Sequence, residues 1–204
     1  MFPIIINIYT SISQGKVLSL WKSAYVLEIP KINKSPVTTD DVRPISLTPA
    51  VNKILQGFVF KWLAEEIIPH IDPYQFGNVR KCSTTHALIH LIHQWLAVTD
   101  TSGSVVRACM VDFSKAFHRI GHNILIKKLQ ILNFHPCLIN WCADFLRCCY
   151  LRLKAGPNKA GPNKSSWKSL HAGVPQGTSL GPLLFLVMIN DLKLYFPKII
   201  LTKL

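Results

Sequence analysis

Apolar side chains recur along this chain with two periods, and the switches between them mark out its elements. Residues 24–29 have the alternation and bulk of a strand, and the polar stretch 31–41, rich in Lys, Thr and Pro, reads as a loop. Val51, Ile54, Leu55, Phe58, Val59, Trp62, Leu63 and Ile67 then follow a helical period over more than four turns, which Pro69 ends. Ala87, Leu88, Leu91, Ile92, Trp95 and Leu96 predict a second helix, capped by Thr84 or Thr85 and closed by the loop 99–103. The apolar run 105–111 predicts a buried strand that delivers Asp112, with helices over 124–132 and 138–146 beyond it. Residues 150–154 and 167–171 suit a hairpin, and between them the pentapeptide 155–159 is repeated as 160–164, turn chemistry that belongs in an exposed loop. Last comes the run 173–185, a glycine turn leading into a short apolar helix. Ser179 is placed to cap that helix, with Pro182 in its first turn, where a missing N–H costs nothing. Alternating strands and helices of this kind indicate α/β or α+β layers.

Composition narrows the partners. At 204 residues and 49% hydrophobic content the chain can bury a real core as one domain or a tightly joined pair, which excludes disorder as the default. Its net charge of +13, from 23 Lys and Arg against 10 Asp and Glu, suits a partner carrying phosphates. The basic residues are dispersed, so no unstructured basic tail is expected. Six cysteines without CxxC spacing point to reduced thiols. The apolar start 1–8 lacks the basic residues and cleavage site of a signal peptide, which predicts an intracellular protein. The apolar stretch 182–189 falls well short of the roughly twenty residues that cross a bilayer.

Several side chains carry candidate chemistry, each with a plainer alternative. Asp112, at the end of an apolar run, either caps the turn that follows or offers a hard oxygen ligand to a divalent cation. Gly173 and Gly177 have no Cβ, so the main chain beside Gln176 can take turn dihedrals and let a flat ligand lie against it. His86, His90 and His93 near one helix face match an HxxxH zinc spacing, but no Glu or Cys completes the set, and a polar helix face is the better account. Cys142 and Cys149 share a helical stripe with Phe145 and read as buried small hydrophobes.

The two blocks 110–117 (MVDFSKAF) and 173–185 (GVPQGTSLGPLLF), in this order, resemble motifs A and B of a reverse transcriptase, of the kind encoded by non-LTR, LINE-like and jockey-like retrotransposons. Other segments agree in family order: Trp21-Lys22-Ser23-Ala24 with Ile29-Pro30-Lys31, the RPISL of residues 43–47, Gln75-Phe76-Gly77 with Ser83-Thr84, and the INDL of residues 189–192. An ordered set carries more weight than any one short block. The resemblance implies an α+β fold comprising fingers (1–104) and a partial palm (105–193) of a right-hand polymerase, the thumb absent, and a divergent tail (194–204). It implies RNA-directed DNA synthesis with Mg²⁺, an RNA template, a DNA primer and deoxynucleoside triphosphates. It places Asp112 and the Phe113 carbonyl at the metal and Phe117 where a bulky residue excludes a 2′-hydroxyl. Arg80 meets the triphosphate, and Gln176 and Gly177 meet the base or sugar.

Three departures qualify that reading. His118 replaces the second Asp of AFD, and Lys81 with Cys82 replaces the Gly and variable residue of KGxST, where a turn depends on glycine freedom. Residues 194–204 contain no acidic residue where the family runs on to a paired-Asp FADD hairpin. The expectation is a reverse transcriptase fragment, truncated before that motif and unable to catalyse, the alternatives being a non-catalytic nucleic-acid binder and an inert translated relic.

Overall fold

A computed structural model of the chain describes residues 2–31, 41–147, 150–153, 165–196 and 199–203. The predicted first strand is β1, Ser23–Pro30, in which Ala24 and Val26 alternate inward. The polar loop behind it lies largely outside the described residues, but its ends meet where Lys31 N–H donates to Asp41 O at 2.7 Å. The RPISL segment then returns as β2, Val42–Leu47, antiparallel to β1 in the register Tyr25↔Leu47 to Pro30↔Val42. The predicted hairpin is β3, Tyr150–Leu153, and β4, Lys168–Ser169. Because β1 also pairs in parallel with β3, the four strands form one sheet in the order β2-β1-β3-β4. The tandem repeat 155–164 lies outside the described residues.

The helices supply the core. They are α1 (Phe2–Ser13), α2 (Ala50–Ile67), α3 (Thr84–Thr99), α4 (His122–Ile131), α5 (Pro136–Arg147) and α6 (Leu180–Ile189). Leu55, Val59 and Leu63 of α2, Leu125 and Leu129 of α4, Trp141 and Phe145 of α5, and Leu180, Leu183 and Leu184 of α6 join one buried cluster. Trp141 and Phe145 stack almost parallel, 5.3 Å between centroids. Cys142 is fully buried in that layer, and burial pushes its thiol up to about 12, so it packs as a small hydrophobe, as its stripe predicted. Cys148 and Cys149 lie outside the described residues.

Three expectations need correction, and one helix was not foreseen. The apolar run 105–111 has no regular secondary structure and forms no strand, and Val105, Met110 and Val111 stand exposed. A strand needs a hydrogen-bonding neighbour, and among the described residues none pairs with it. Helix α3 is capped by Ser83, not by Thr84 or Thr85, in a reciprocal box: Ser83 Oγ accepts from His86 N–H while His86 Nδ1 accepts from Ser83 N–H. The buried face of α2 is rotated from the apolar count, burying Asn52 and Gln56 while Ile54 and Phe58 face solvent. Helix α1 forms where no helix was predicted, its Ile8 and Ile12 packing on the core and its Trp141 neighbour on α5 donating to Ser11 Oγ at 3.2 Å. Its run of β-branched isoleucines disfavours a helix intrinsically, so tertiary packing decides.

Candidate nucleotide-binding site

The turn of residues 173–177 is where separate parts of the chain converge. Gly173 has φ +83° and Gly177 φ +92°, dihedrals that L side chains rarely adopt. Gly173 is buried so tightly that an added Cβ would lie 2.8 Å from His118 Cα and from the carbonyl oxygens of Phe117 and His118. Its N–H donates to Ile120 O at 2.8 Å, Val174 N–H donates to Phe117 O at 2.9 Å, and His122 Nε2–H donates to Gly173 O at 2.7 Å. The start of the motif B turn is thereby fastened to the residues that follow motif A. At its other end Gln176 O accepts from Ser46 N–H at 2.7 Å, adding the turn to the edge of β2, and a Cβ on Gly177 would come 3.0 Å from Ile45. The fold uses the main chain of Gln176, and its side-chain amide makes no hydrogen bond among the described residues.

Thr178, not Ser179, serves the N-terminus of α6. Ser179 has helical dihedrals and no capping bond, whereas Thr178 Oγ1 donates to Pro175 O at 2.8 Å and accepts from Gly181 N–H at 3.2 Å. Pro182 falls in the first turn as predicted.

Motif A contributes an aromatic group. Phe117 lies 5.1 Å from Phe185 of α6 between ring centroids, and Phe113 meets the same ring edge-on at 6.4 Å. Phe185 is the residue that sequence reasoning passed over; its place five residues into α6 was visible, but its meeting with motif A was not. His118 follows on a short turn entered through Lys115 at φ +55°. Partial burial, then the charges of Lys115 and Lys31, lower the His118 pKa from its ordinary value and favour the neutral imidazole. Asp112 itself is exposed.

Arg80 is exposed in the turn before α3, and no hydrogen bond or ion pair joins it to this group among the described residues. Lys81, where glycine was expected, has φ +66°, so the turn keeps the glycine conformation with a side chain in place. Of the three histidines, His86 serves the α3 cap and His90 packs against Tyr74 and Phe76 at 5.2 and 5.4 Å. Neither is presented as a zinc ligand.

A hard divalent cation needs several converging oxygen ligands, and a two-metal site needs them for a pair of ions about 3.5–4 Å apart. Among the described residues no three His, Cys, Asp or Glu side chains come together in this way. Asp112 is a single carboxylate, so the described residues do not by themselves make up a divalent-metal site. Nor is any described helix long and apolar enough to cross a membrane.

The order of the blocks and the docking of motif B onto motif A define a polymerase class, and comparison with known proteins agrees. Residues 29–199 match the family described as reverse transcriptase (RNA-dependent DNA polymerase), and the chain belongs to it. It is 31% identical over 179 residues to the RNA-directed DNA polymerase from mobile element jockey of Drosophila melanogaster, an alignment covering 87% of this chain and 19% of that protein. It is 29% identical over 177 residues to the probable RNA-directed DNA polymerase from transposon BS of the same species, covering 84% and 18%. A retrovirus-related Pol polyprotein from type-1 retrotransposable element R2 of Popillia japonica is 23% identical over 179 residues, covering 88% and 24%. The chain thus spans about a fifth of the length of these curated relatives.

Proposed function

We propose that these residues are the fingers (1–104) and part of the palm (105–193) of a non-LTR retrotransposon reverse transcriptase, and that they hold an RNA template, a DNA primer and an incoming deoxynucleoside triphosphate. In this reading Gln176 and Gly177 face the base or sugar, Phe117 stands against the 2′ position and Arg80 meets the triphosphate. Asp112 with the Phe113 carbonyl supplies one part of a metal site whose other ligands are not among the described residues. The observation that carries the reading is the motif B turn seated between the Phe117–His118 turn and the edge of β2.

It follows that a polypeptide of these 204 residues binds nucleic acid without extending it. Its dispersed positive charge and lack of a base-reading motif predict duplex binding with little sequence preference. That affinity should fall steeply with salt as counterions are released. Filter binding of an RNA–DNA duplex across a salt series, beside primer extension with Mg²⁺ and with Mn²⁺, tests both halves. Salt-dependent binding with no extension is expected. Affinity indifferent to salt would favour an inert relic, and extension abolished by Asp112→Ala would show that other carboxylates complete the site.

A further inference from the structure

Lys203 is a buried cation with several partners, and it lies outside the motifs named above. Its side chain is only 4% exposed, and its ammonium meets three acceptors: Asp72 Oδ2 at 2.8 Å, Asn190 O at 3.1 Å and Ile189 O at 3.3 Å. Three N–H donors on three oxygens satisfy a buried ammonium, which would otherwise be costly to desolvate. Its main chain is used as fully. Lys203 N–H donates to Tyr74 O at 2.9 Å, and Lys203 O accepts from Phe76 N–H at 2.8 Å and from Gly77 N–H at 3.4 Å. One residue therefore ties the QFG segment, Asp72 and the C-terminal end of α6 together.

The INDL segment completes the junction. Asn190 Oδ1 accepts from Asp72 N–H and Asn190 Nδ2 donates to His70 O, both at 2.8 Å. On the far side of the same helix end, Lys128 Nζ binds Met188 O and Asp191 Oδ1, each at 2.5 Å. Two lysines on the last carbonyls of α6 also suit the negative end of its dipole. Asp72 responds accordingly. Burial works to raise its pKa, but the Lys203 hydrogen bond, the Tyr74 N–H and the Lys203 and Lys193 charges together hold it below the ordinary carboxylate value.

Helix α6 begins at the Gln176 turn, and the QFG segment ends three residues before Arg80. The junction thus joins the segment that leads to Arg80 to the far end of the helix that follows the motif B turn. We propose that Lys203 and Asn190 are positioning residues, which fix the Arg80 turn relative to the motif B turn and so set the affinity for the triphosphate. This inference rests on the assignment of Arg80 made above.

The test uses the whole chain with Lys203→Met, which keeps the aliphatic stem, and Asn190→Ala, which leaves the buried ion pair intact should the first variant fail to fold. Amide hydrogen exchange at Phe76 and Gly77 reads the junction directly, and dTTP binding reads its consequence. Exchange at both amides should quicken in either variant, and dTTP affinity should fall by about fivefold or more, while RNA–DNA duplex affinity changes less than twofold. Added to Arg80→Ala, either variant should cost little further, because both act through the same contact. Unchanged exchange overturns the junction itself. Additive losses overturn its action through Arg80. If Arg80→Ala alone leaves dTTP binding intact, the Arg80 assignment fails and the positioning role with it, while the exchange result still decides whether the junction exists.

Discussion

Segment 105–113, largely apolar but interrupted by Arg107 and Asp112, leaves Met110 and Val111 exposed, while the wholly apolar helix α6 buries Leu180 and Leu184 completely. Side chains as apolar as Met and Val are thus exposed in one and buried in the other, and the backbone helps explain why. A helix closes its backbone hydrogen bonds internally, so α6 needs only apolar neighbours, which α2 and α4 provide. A non-helical segment leaves its N–H and C=O groups open until other groups supply partners, and among the described residues no strand does so for 105–113. The motif B turn lies between these cases. It has few apolar side chains, yet its main chain is bonded at both ends, to Phe117 and Ile120 on one side and to Ser46 on the other.

The largest effect should come from testing that contrast in apolar packing. Leu184→Ala removes a side chain with no exposed surface and should cost about 3 kcal/mol or more. Val111→Ala, at a position 80% exposed, should stay within about 0.5 kcal/mol. Urea denaturation of both variants measures this. A comparable loss for Val111→Ala would mean that the segment is packed in solution and that the comparison is wrong.

The next contrast isolates the backbone of the motif B turn. Gly173 and Gly103 both have positive φ, +83° and +79°, but a Cβ on Gly103 meets nothing within 4 Å. Gly103→Ala should therefore cost only the left-handed penalty, about 1–2 kcal/mol. Gly173→Ala adds 2.8 Å contacts with main-chain atoms of Phe117 and His118, which cannot swing aside, and should cost about 3 kcal/mol or more. Equal losses in thermal or urea unfolding would show that the turn is not seated on motif A.

Helices α2 to α6, strands β1, β3 and β4 and the glycine turn were legible because each rests on short-range signals: a helical period, strand alternation, or a residue type that a dihedral demands. What the sequence hid depends on distant partners. Nothing in residues 105–111 reveals whether a strand will find a neighbour. Nor does the α2 pattern reveal that Asn52 is buried because its Nδ2 donates to Trp21 O at 2.6 Å. As candidates for the proposed site, Asp112, Phe117, Gln176 and Gly177 were legible from motif order, which is inherited chemistry rather than local physics. Phe185 and Lys203 were not, since their contacts join residues that no local pattern connects. The missed caps, Ser83 and Thr178, each sit one position before the residue expected, a shift that propensity cannot resolve because Ser and Thr cap alike.

A smaller effect concerns Lys81, which keeps φ +66° with a side chain where Gly173 and Gly177 have none. Lys81→Gly relieves the left-handed strain but gives the unfolded chain more freedom, so the net gain should be about 0.5 kcal/mol. The check is a rise in the urea midpoint. A fall would mean that the lysine side chain contributes contacts that offset its strain, and that this turn differs in kind from the motif B turn.

The smallest effect concerns the seam between the two motifs. His118 has an ordinary pKa near 6.5, and in the folded chain burial, followed by the charges of Lys115 and Lys31, lowers it. The fold therefore favours the neutral imidazole. Its contribution to stability is fully present above about pH 6.5 and is lost as pH falls through the lower folded value. Because that burial is only partial and the residue keeps substantial exposure, salt and solvent screen much of the effect. Unfolding midpoints of the parent chain and His118→Gln, measured from pH 7.5 down to about 5, should show the parent losing more stability than the variant. The other histidines titrate in both proteins, so only the difference between the two curves bears on His118. If the curves stay parallel, the imidazole titrates alike in folded and unfolded chains, and the seam at Gly173 exerts no electrostatic pressure on the residue that replaces the family's aspartate.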